Sequence, residues 1–574
     1  MFIRPADIRA RLLSKSIRLP IFAIITLLII NRIMSIKTSL LLATSSIALL
    51  LCGPAFTQKD TTDAGFVDQA LLPAKVIAAK HEYNENNMRG ALTLYREVLE
   101  TDPTNTTALF GTARCHYNLK KYNLALEYYD KAIAIDSKTS DDLELFHGEI
   151  LHRLSMLDEA IVHYTNFRDG QIKSSEDFRY AEDLIGQCRF AKEMMNNEVK
   201  VVIENLGEEI NSRFDEYAPS VTADGKTLVF TSRRSDTKGG ELNEKGDYKF
   251  FEDIYISTWD EEAKSWSRSE GISGQVNTET HDAVLSISPD GSRIFVYKNN
   301  TITTGEIFQS SLNRADGTWS APEKMPRPIN TSFYEGSISM TADGNTVYFI
   351  SERMDAIGMG DIYVSHKKGE GWSSPKNLSK IVNTELDEKF VFIHPNGKTL
   401  YFSSNGHQTI GSYDIFKTEL VNGQWSIPVN LGYPINTVNE ESTFCLSKDN
   451  KTLYLAAEYD NSLGERDIYK VDVSSYELIS EGYEGGSFGQ VLVIVTDAEG
   501  KPLKGASVVI TGAETDKEIT TLKSDKTGRA KANLPLHMHY IVKVKHGKQE
   551  QSQEIQLKKN PNGETIQKVE ISFK

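Results

Sequence analysis

Five times the chain writes the same short phrase, a polar turn followed by an apolar strand: VTADGKTLVFTS, ISPDGSRIFVYK, MTADGNTVYFIS, IHPNGKTLYFSS and LSKDNKTLYLAA. The turn falls at Asp224, Asp290, Asp343, Asn396 and Asp449, in steps of 66, 53, 53 and 53 residues. A period of about 50 residues, each holding several runs of about five apolar residues between turn residues, restricts the fold to radially repeated antiparallel sheets. Other columns keep the same beat: Asn211, Asn277, Asn330, Asn383 and Asn436; Trp266, Trp319, Trp372 and Trp425; and the strand starts DIYIS, EIFQS, DIYVS, DIFKT and DIYKV. The longer first step reads as an insertion near SDTKGGELNEKGDYKF.

These units predict a five-bladed β-propeller over residues 198–480, with six blades as the alternative. Segments such as GWSSPKNLSKIVN supply the outer strand of the preceding blade, but no such segment ends the fifth unit. VKVVIENLGEEIN, residues 199–211, resembles it and precedes the first unit, so an N-terminal strand is expected to complete the last blade and remove its open edge. The phrase SxDGKTLYFxS…DIY resembles the WD40-like repeat (PD40) of TolB-type propellers.

Asp-Gly between apolar runs is a hairpin signal, since Gly accepts positive φ, and the turn residues are read as structural rather than metal-binding or catalytic. One acid per blade is a different matter: Glu216, Asp282, Glu335, Glu388 and Glu441 each follow the blade's Asn by five residues. Symmetry predicts a ring near one mouth of the channel. Such a ring needs paired or hydrogen-bonded carboxylates, with blade-to-blade bonds or Arg233 and Arg353 as the expected partners and a cation or basic ligand as the alternative.

A second repeat precedes the first. AKVIAAKHEYNENNMRGALTLYREVLETDPT aligns with TALFGTARCHYNLKKYNLALEYYDKAIAIDS at a spacing of 34, bringing Ala79 over Ala113, Ala91 over Ala125, Tyr95 over Tyr129 and Val98 over Ala132. A third copy follows at 35 through Gly148, Ala160, Tyr164 and Phe167. Period and residue types resemble the tetratricopeptide repeat, which implies stacked helical hairpins over residues 73–197 and a concave surface that binds protein.

At the N-terminus, Lys37 and the apolar stretch Leu40 to Leu51 followed by Gly53 and Ala55 have the form of a signal peptide starting at Met34, within a signal region of residues 1–57 and ahead of a linker at 58–72. The apolar centre is shorter than the about 20 residues a membrane span needs, so no transmembrane span is expected in the mature chain. Cys52 follows Leu51 rather than a small residue, which argues against a lipid anchor. Losing residues 1–57 removes seven basic residues and one acidic one, taking the net charge from −15 to −21. So acidic a chain lacks the overall Lys/Arg excess that phosphate binding uses, and no nucleic-acid role is expected. Cys115, Cys188 and Cys445 have no CxxC spacing, so neither a disulfide framework nor a zinc site is indicated.

Two catalytic signals fail on context. GGSFG at residues 485–489 matches a nucleophile elbow, but Ser487 is followed by only 87 residues that read as strands. His281, His366, His394 and His407 fall at different phases of the repeat. No catalytic, cofactor-binding or metal-binding residues are therefore assigned, and no cofactor.

The final segment, DAEGKPLKGASVVI…SDKTGRA, resembles the carboxypeptidase regulatory-like domain, a small β-sandwich over 481–574. The order of signal peptide, tetratricopeptide repeats, WD40-like propeller and regulatory-like sandwich resembles a family of exported cell-envelope proteins of Bacteroidota, some tied to type IX secretion. The resemblance implies a periplasmic, non-enzymatic scaffold that meets other envelope proteins through its helical concave surface and propeller face, with outer-membrane association through partners. The family commonly continues into an OmpA-like domain that grips peptidoglycan. This sequence ends at Lys574 without one, so attachment through a protein partner rather than direct peptidoglycan binding is expected. An exported propeller enzyme and a carbohydrate- or peptide-binding module are the alternatives.

Overall fold

The computed structural model describes residues 63–138, 142–243, 247–298, 305–421, 424–480, 488–513, 518–535, 539–558 and 566–573. The signal region with Met34 and Cys52, and Ser487 of the elbow-like motif, lie outside the described residues.

Among the described residues, seven helices come first: α1 (Asp63–Asn84), α2 (Met88–Thr101), α3 (Thr106–Asn118), α4 (Tyr122–Ile135), α5 (Leu143–Arg153), α6 (Leu157–Asp169) and α7 (Glu176–Asn196). The segment read as a linker is already helical from Asp63, because Leu72 on its inner face is buried in the same cluster as Ala79, Ala91, Tyr95 and Val98. Each hairpin turns on one residue in the left-handed region, Asn86, Lys120 and Ser155, and Asn87 and Asn105 cap α2 and α3 by accepting from Gly90 N and Ala108 N. The small-residue columns are dictated by tyrosine. A Cβ on Gly111 would stand 2.3 Å from the Tyr95 ring, and one on Gly148 2.6 Å from the Tyr164 ring.

The chain divides into two compact units, residues 1–143 with 168–180, and residues 144–167 with 181–574. In the second unit, helices of the third repeat are fastened to the propeller. His152 Nε2 lies 3.1 Å from Ile410 O, Gln187 Nε2 donates to Thr409 Oγ1 at 2.5 Å and to Gly411 O, and Arg153 Nη1 donates to Val438 O. Burial lowers the His152 pKa to about 3, so the ring is neutral and carries its proton on Nε2.

The propeller has five blades. The first four each contain three long antiparallel strands and a split outer strand: β2 (Glu216–Val221), β3 (Thr227–Ser232) and β4 (Asp253–Asp260) with β5 (Ser265–Trp266) and β6 (Glu270–Gly271); β7 (Asp282–Ile287), β8 (Arg293–Lys298) and β9 (Glu306–Asn313) with β10 (Thr318–Trp319) and β11 (Glu323–Lys324); β12 (Glu335–Met340), β13 (Thr346–Ser351) and β14 (Asp361–Lys368) with β15 (Gly371–Trp372) and β16 (Lys376–Asn377); and β17 (Glu388–Ile393), β18 (Thr399–Ser404) and β19 (Asp414–Val421) with β20 (Gln424–Trp425) and β21 (Val429–Asn430). In the fifth, β22 (Thr443–Leu446), β23 (Thr452–Ala457) and β24 (Asp467–Asp472) are completed by β1 (Val202–Asn205), which pairs antiparallel with β24 from Val202↔Asp472 to Asn205↔Tyr469. The strand expected from the sequence therefore closes the ring. Its core is continuous across that join, where Leu228, Phe230 and Trp266 of blade 1 pack with Cys445, Tyr454 and Ile468 of blade 5. Each repeated turn places a residue at positive φ, Gly225, Gly291, Gly344, Gly397 and Asn450.

After the short helix α8 (Glu477–Ser480) come β25 (Phe488–Asp497), β26 (Ser507–Gly512), β27 (Glu518–Lys523), β28 (Arg529–Pro535), β29 (His539–His546), β30 (Gln549–Gln556) and β31 (Ile566–Phe573); two sheets of three and four strands, ordered β28-β25-β31 and β27-β26-β29-β30, pack Val491, Val493, Ile510, Val542, Val569 and Phe573 between them as a β-sandwich. β25 (Phe488–Asp497) lies at the centre of the three-stranded sheet, antiparallel to β28 and parallel to β31.

Candidate functional site

The repeated acids stand at or beside the start of each blade's first strand, and all five are 0–1 % exposed. Glu388 shows the arrangement: its carboxylate accepts from Thr384 N at 3.0 Å, Thr384 Oγ1 at 2.8 Å and Ser404 Oγ at 2.9 Å. Glu335 repeats it with Thr331 and Ser351, Glu216 with Ser212 and Ser232, Asp282 with Thr278, and Glu441 with Thr437. The hydroxyl four residues back belongs to the segment leading into the same blade, so these acids hold that lead-in to their own blade. Arg353 lies 3.7 Å from Glu335, but the cation beside Glu216 is Arg234, at 3.2 Å. Arg233, the expected partner, instead forks onto Asp247 in the inserted loop. Burial pushes Glu388 and Glu441 up to about 8.

One recurring set of blade-to-blade bonds comes from the asparagine column. Asn383 accepts from Ile362 N at 2.9 Å and donates to Ile362 O at 3.0 Å, reading the third strand of the preceding blade. Asn277, Asn330 and Asn436 do the same to Ile254, Ile307 and Ile415, and Asn211 reaches Ile468 across the ring closure. The column was visible in the sequence, but its role was not.

Between the blades, near the Asp-Gly turns, a cavity lined by Ser220, Ser286, Ser339, Ile393 and Leu446 holds about 20 Å³, room for one or two waters. Elsewhere on the propeller, charged groups pair with one another: Asp215 with Lys249 at 2.7 Å and Arg466 at 3.2 Å, and Glu252 with His281 at 2.7 Å. Burial alone would raise the Asp215 carboxyl, but the two cations hold it well below its usual range. The other propeller histidines stand apart, His366 on Thr346, His394 buried beside Asn396, and His407 on Val382 O. No group of three or more His, Cys, Asp or Glu side chains that could hold a metal ion occurs among the described residues.

One further column was not singled out from the sequence: the acid that opens each blade's third strand. In blades 3, 4 and 5 it is fully bonded. Asp361 accepts from Ile357 N, Gly358 N and, at 2.6 Å, Asn377 Nδ2 on the split outer strand. Asp414 is held likewise by Ile410, Gly411 and Asn430, and Asp467 by Leu463, Gly464 and, from the closing strand, Asn205. In blade 2, Glu306 meets Lys324. Blade 1 breaks the pattern. Asp253 is 4 % exposed, its Oδ2 accepts from Lys238 N at 2.6 Å, and its Oδ1 has no hydrogen-bond partner. In blades 3 to 5 the outer-strand asparagine donates to Oδ2, the oxygen that here accepts from Lys238 N, and its place is taken by Gly271; Oδ1 is the oxygen that Gly358 N, Gly411 N and Gly464 N reach in those blades, and their counterpart is Gly239, at the start of the insertion. A pocket of about 390 Å³ opens where the missing side chain would stand, lined by Asp236, Lys238, Asp253, Tyr255, Glu270 and Gly271 among others.

Comparison with known proteins finds a family model, "Anaphase-promoting complex, cyclosome, subunit 3", that matches residues 84–167. No curated protein matches the chain. Among solved structures, TolB from Acinetobacter baumannii aligns at 16% identity over 53% of this chain and 71% of its own, with a TM-score of 0.31. The α-L-arabinofuranosidases of Podospora anserina (13% identity, 47% and 92% covered, TM-score 0.29) and Lactobacillus brevis (11%, 47% and 94%, 0.30) align similarly. No helix among the described residues is long and apolar enough to cross a membrane.

Proposed function

We propose that this chain is an exported, non-enzymatic scaffold that binds other proteins of the cell envelope. The observation that carries the reading is the seam between the third helical repeat and blade 4, where His152, Arg153 and Gln187 bond to backbone carbonyls of residues 410, 411 and 438. A hairpin of the protein-binding kind is thereby fixed to a closed propeller, which suits a platform that presents a partner in a set orientation. The matched family model describes a subunit of a multiprotein complex, and the propeller's repeated carboxylates are engaged in holding its own loops. Residence in the periplasm, association with the outer membrane or a type IX secretion complex, and the carboxypeptidase regulatory-like character of the sandwich belong to the same proposal. They rest on the order of segments in the sequence.

Export is tested by osmotic-shock fractionation with N-terminal sequencing. The mature chain is expected in the periplasmic fraction, beginning just after Ala55 or Thr57. A cytosolic protein retaining residue 1 would overturn the assignment. Direct hydrolysis of polysaccharide or peptide by the purified chain would transfer the function to the alternative class of propeller enzymes.

A further inference from the structure

The C-terminal sandwich differs in charge from the rest of the chain. Residues 488–574 hold 14 Lys and Arg against 10 Asp and Glu, a net of +4, so the remainder of the exported chain, net −21 as a whole, carries −25. Unpaired cations gather on one surface, the outer face of the three-stranded sheet β28-β25-β31. Alternation decides what faces out: Val491, Val493, Ala532 and Val569 are buried in the core, which turns Leu492, Ile494, Lys531 and Lys568 to the other side. The register sets them in rows. Leu492 stands between Lys531 and Lys568, Ile494 between Arg529 and Glu570, and Gln490 beside Ile566, which is 52 % exposed. Arg529 has Glu570 across its row, and the Asp525 carboxylate in the turn before β28 accepts from its backbone N–H at 3.1 Å. Lys531 and Lys568, both exposed, form no ion pair with a described residue. Two strand spacings, about 10 Å, separate them, so one row holds two uncompensated cations around an aliphatic centre. The four-stranded sheet does not repeat this. On its outer face Lys545 stands in register with Glu550, and His539 lies 3.6 Å from Glu554.

We propose that this face is a peripheral docking surface for an anionic phospholipid membrane, with Lys531, Lys568 and Arg529 on headgroup phosphates and Leu492, Ile494 and Ile566 against the acyl boundary. Long cationic stems beside aliphatic side chains suit that boundary, where the charge stays at headgroup level while the stem lies along apolar surface. A protein occupant fits less well. Protein interfaces are depleted in Lys and enriched in aromatic residues and Met, whereas this face has two lysines flanking its centre and neither an aromatic residue nor a Met in its rows. A second copy is opposed by the net charge of −21 that each chain carries. Acidic groups elsewhere on the same chain weigh little, since exposed charges are screened beyond about 8 Å at physiological salt. Three cations and a small apolar patch make a weak, salt-sensitive contact that orients the chain on a surface rather than anchoring it. The surface stands without the scaffold reading. Only the assignment of the membrane to the cell envelope rests on it.

The test is co-sedimentation of the full exported chain with vesicles of phosphatidylcholine alone and of equimolar phosphatidylcholine and phosphatidylglycerol, in about 50 mM and about 500 mM NaCl. Binding is expected to the anionic vesicles at low salt only, and it should weaken about tenfold or more in Lys531→Glu/Lys568→Glu. Lys523→Glu/Lys545→Glu, on the four-stranded sheet, makes the same change in net charge and is expected to weaken binding by less than about threefold. All four lysines are exposed, so both variants should melt near the parent temperature, which separates lost binding from lost folding. No preference for anionic vesicles, or equal loss in the two double variants, would overturn the proposal. So would full displacement by millimolar inorganic phosphate, which would show a phosphate site in place of a membrane surface. Absence of vesicle binding, with crosslinks in cells from Lys531 or Lys568 to an envelope protein, would assign the face to a protein partner and equally sink it. The scaffold reading fails separately, if no envelope protein crosslinks to the chain.

Discussion

Replacing Glu388 distinguishes a carboxylate kept for its hydrogen bonds from one kept for its charge. Its side chain is fully buried and joins the lead-in residue Thr384 to Ser404 on β18 (Thr399–Ser404), and no cation among the described residues forms an ion pair with it. Of its three donors, only Thr384 N is obliged to donate. The two hydroxyls can turn and accept, so a protonated carboxyl satisfies the same network. Glu388→Ala strips the acceptor from a backbone N–H and leaves a small void, and the expected cost is about 3 to 5 kcal/mol. Glu388→Gln keeps an acceptor for Thr384 N and offers donors to the hydroxyls, so it should cost under about 1 kcal/mol near pH 5. The two variants should also diverge with pH. Because the folded pKa of about 8 lies above the unfolded value, the folded protein holds this proton longer than the unfolded chain. Stability from this group is fully present below about pH 4.5 and is lost as pH rises to about 8, by at most about 4 to 5 kcal/mol. Gln does not titrate, so Glu388→Gln should overtake the parent between pH 5 and 8. Urea melts of parent and both variants at pH 5, 6.5 and 8 read this directly. If Gln proves as damaging as Ala, and the parent grows more stable with pH in a way that Gln removes, the carboxylate is charged and held by a cation, and the structural role assigned to the column is wrong.

Further expectations concern other joints of the molecule. Deleting β1 (Val202–Asn205) removes both the outer strand of blade 5 and the Asn205 partner of Asp467; it should cost several kcal/mol and promote edge-to-edge association, read by melting and light scattering. His152 is held neutral by burial, its pKa lowered to about 3, so it contributes stability above pH 6.5 that is lost as pH falls toward 3. A thermal-melt pH profile should lose that acid dependence in His152→Gln. In Gly271→Asn, the gain in stability over the parent should be larger above pH 6 than below pH 4, by about 1 to 3 kcal/mol, because only an ionised Asp253 needs the new donor. An equal gain at both pH values would show that Asp253 is already satisfied.

Much of this was legible in the sequence because repetition averages out local ambiguity. The beat of the Asp-Gly turns fixed the phase of five blades, and the resemblance of residues 199–211 to the outer-strand segments pointed to the strand that closes the ring. Columns of Ala, Gly and Tyr at 34 and 35 residues marked the helix crossings, where Tyr95 and Tyr164 leave no space for a Cβ on Gly111 or Gly148. What escaped were contacts between residues distant in sequence. Neither the clamp from Asn211 to Ile468 nor the seam from His152 to Ile410 leaves a local signature. The linker failed because helical periodicity before Pro73 is weak and Leu72 is buried only by its neighbours. The blade 1 pocket could have been found by asking where a column breaks, since Gly271 stands where Asn377 and Asn430 stand in other blades.

Whether the chain works by holding other envelope proteins is decided by crosslinking in living cells followed by mass spectrometric mapping. Crosslinks are expected from lysines of helices α1 to α7 and of the propeller to one or a few other envelope proteins, reproducibly and at the same residues. A chain that crosslinks to nothing, or only to abundant bystanders at scattered lysines, would contradict it.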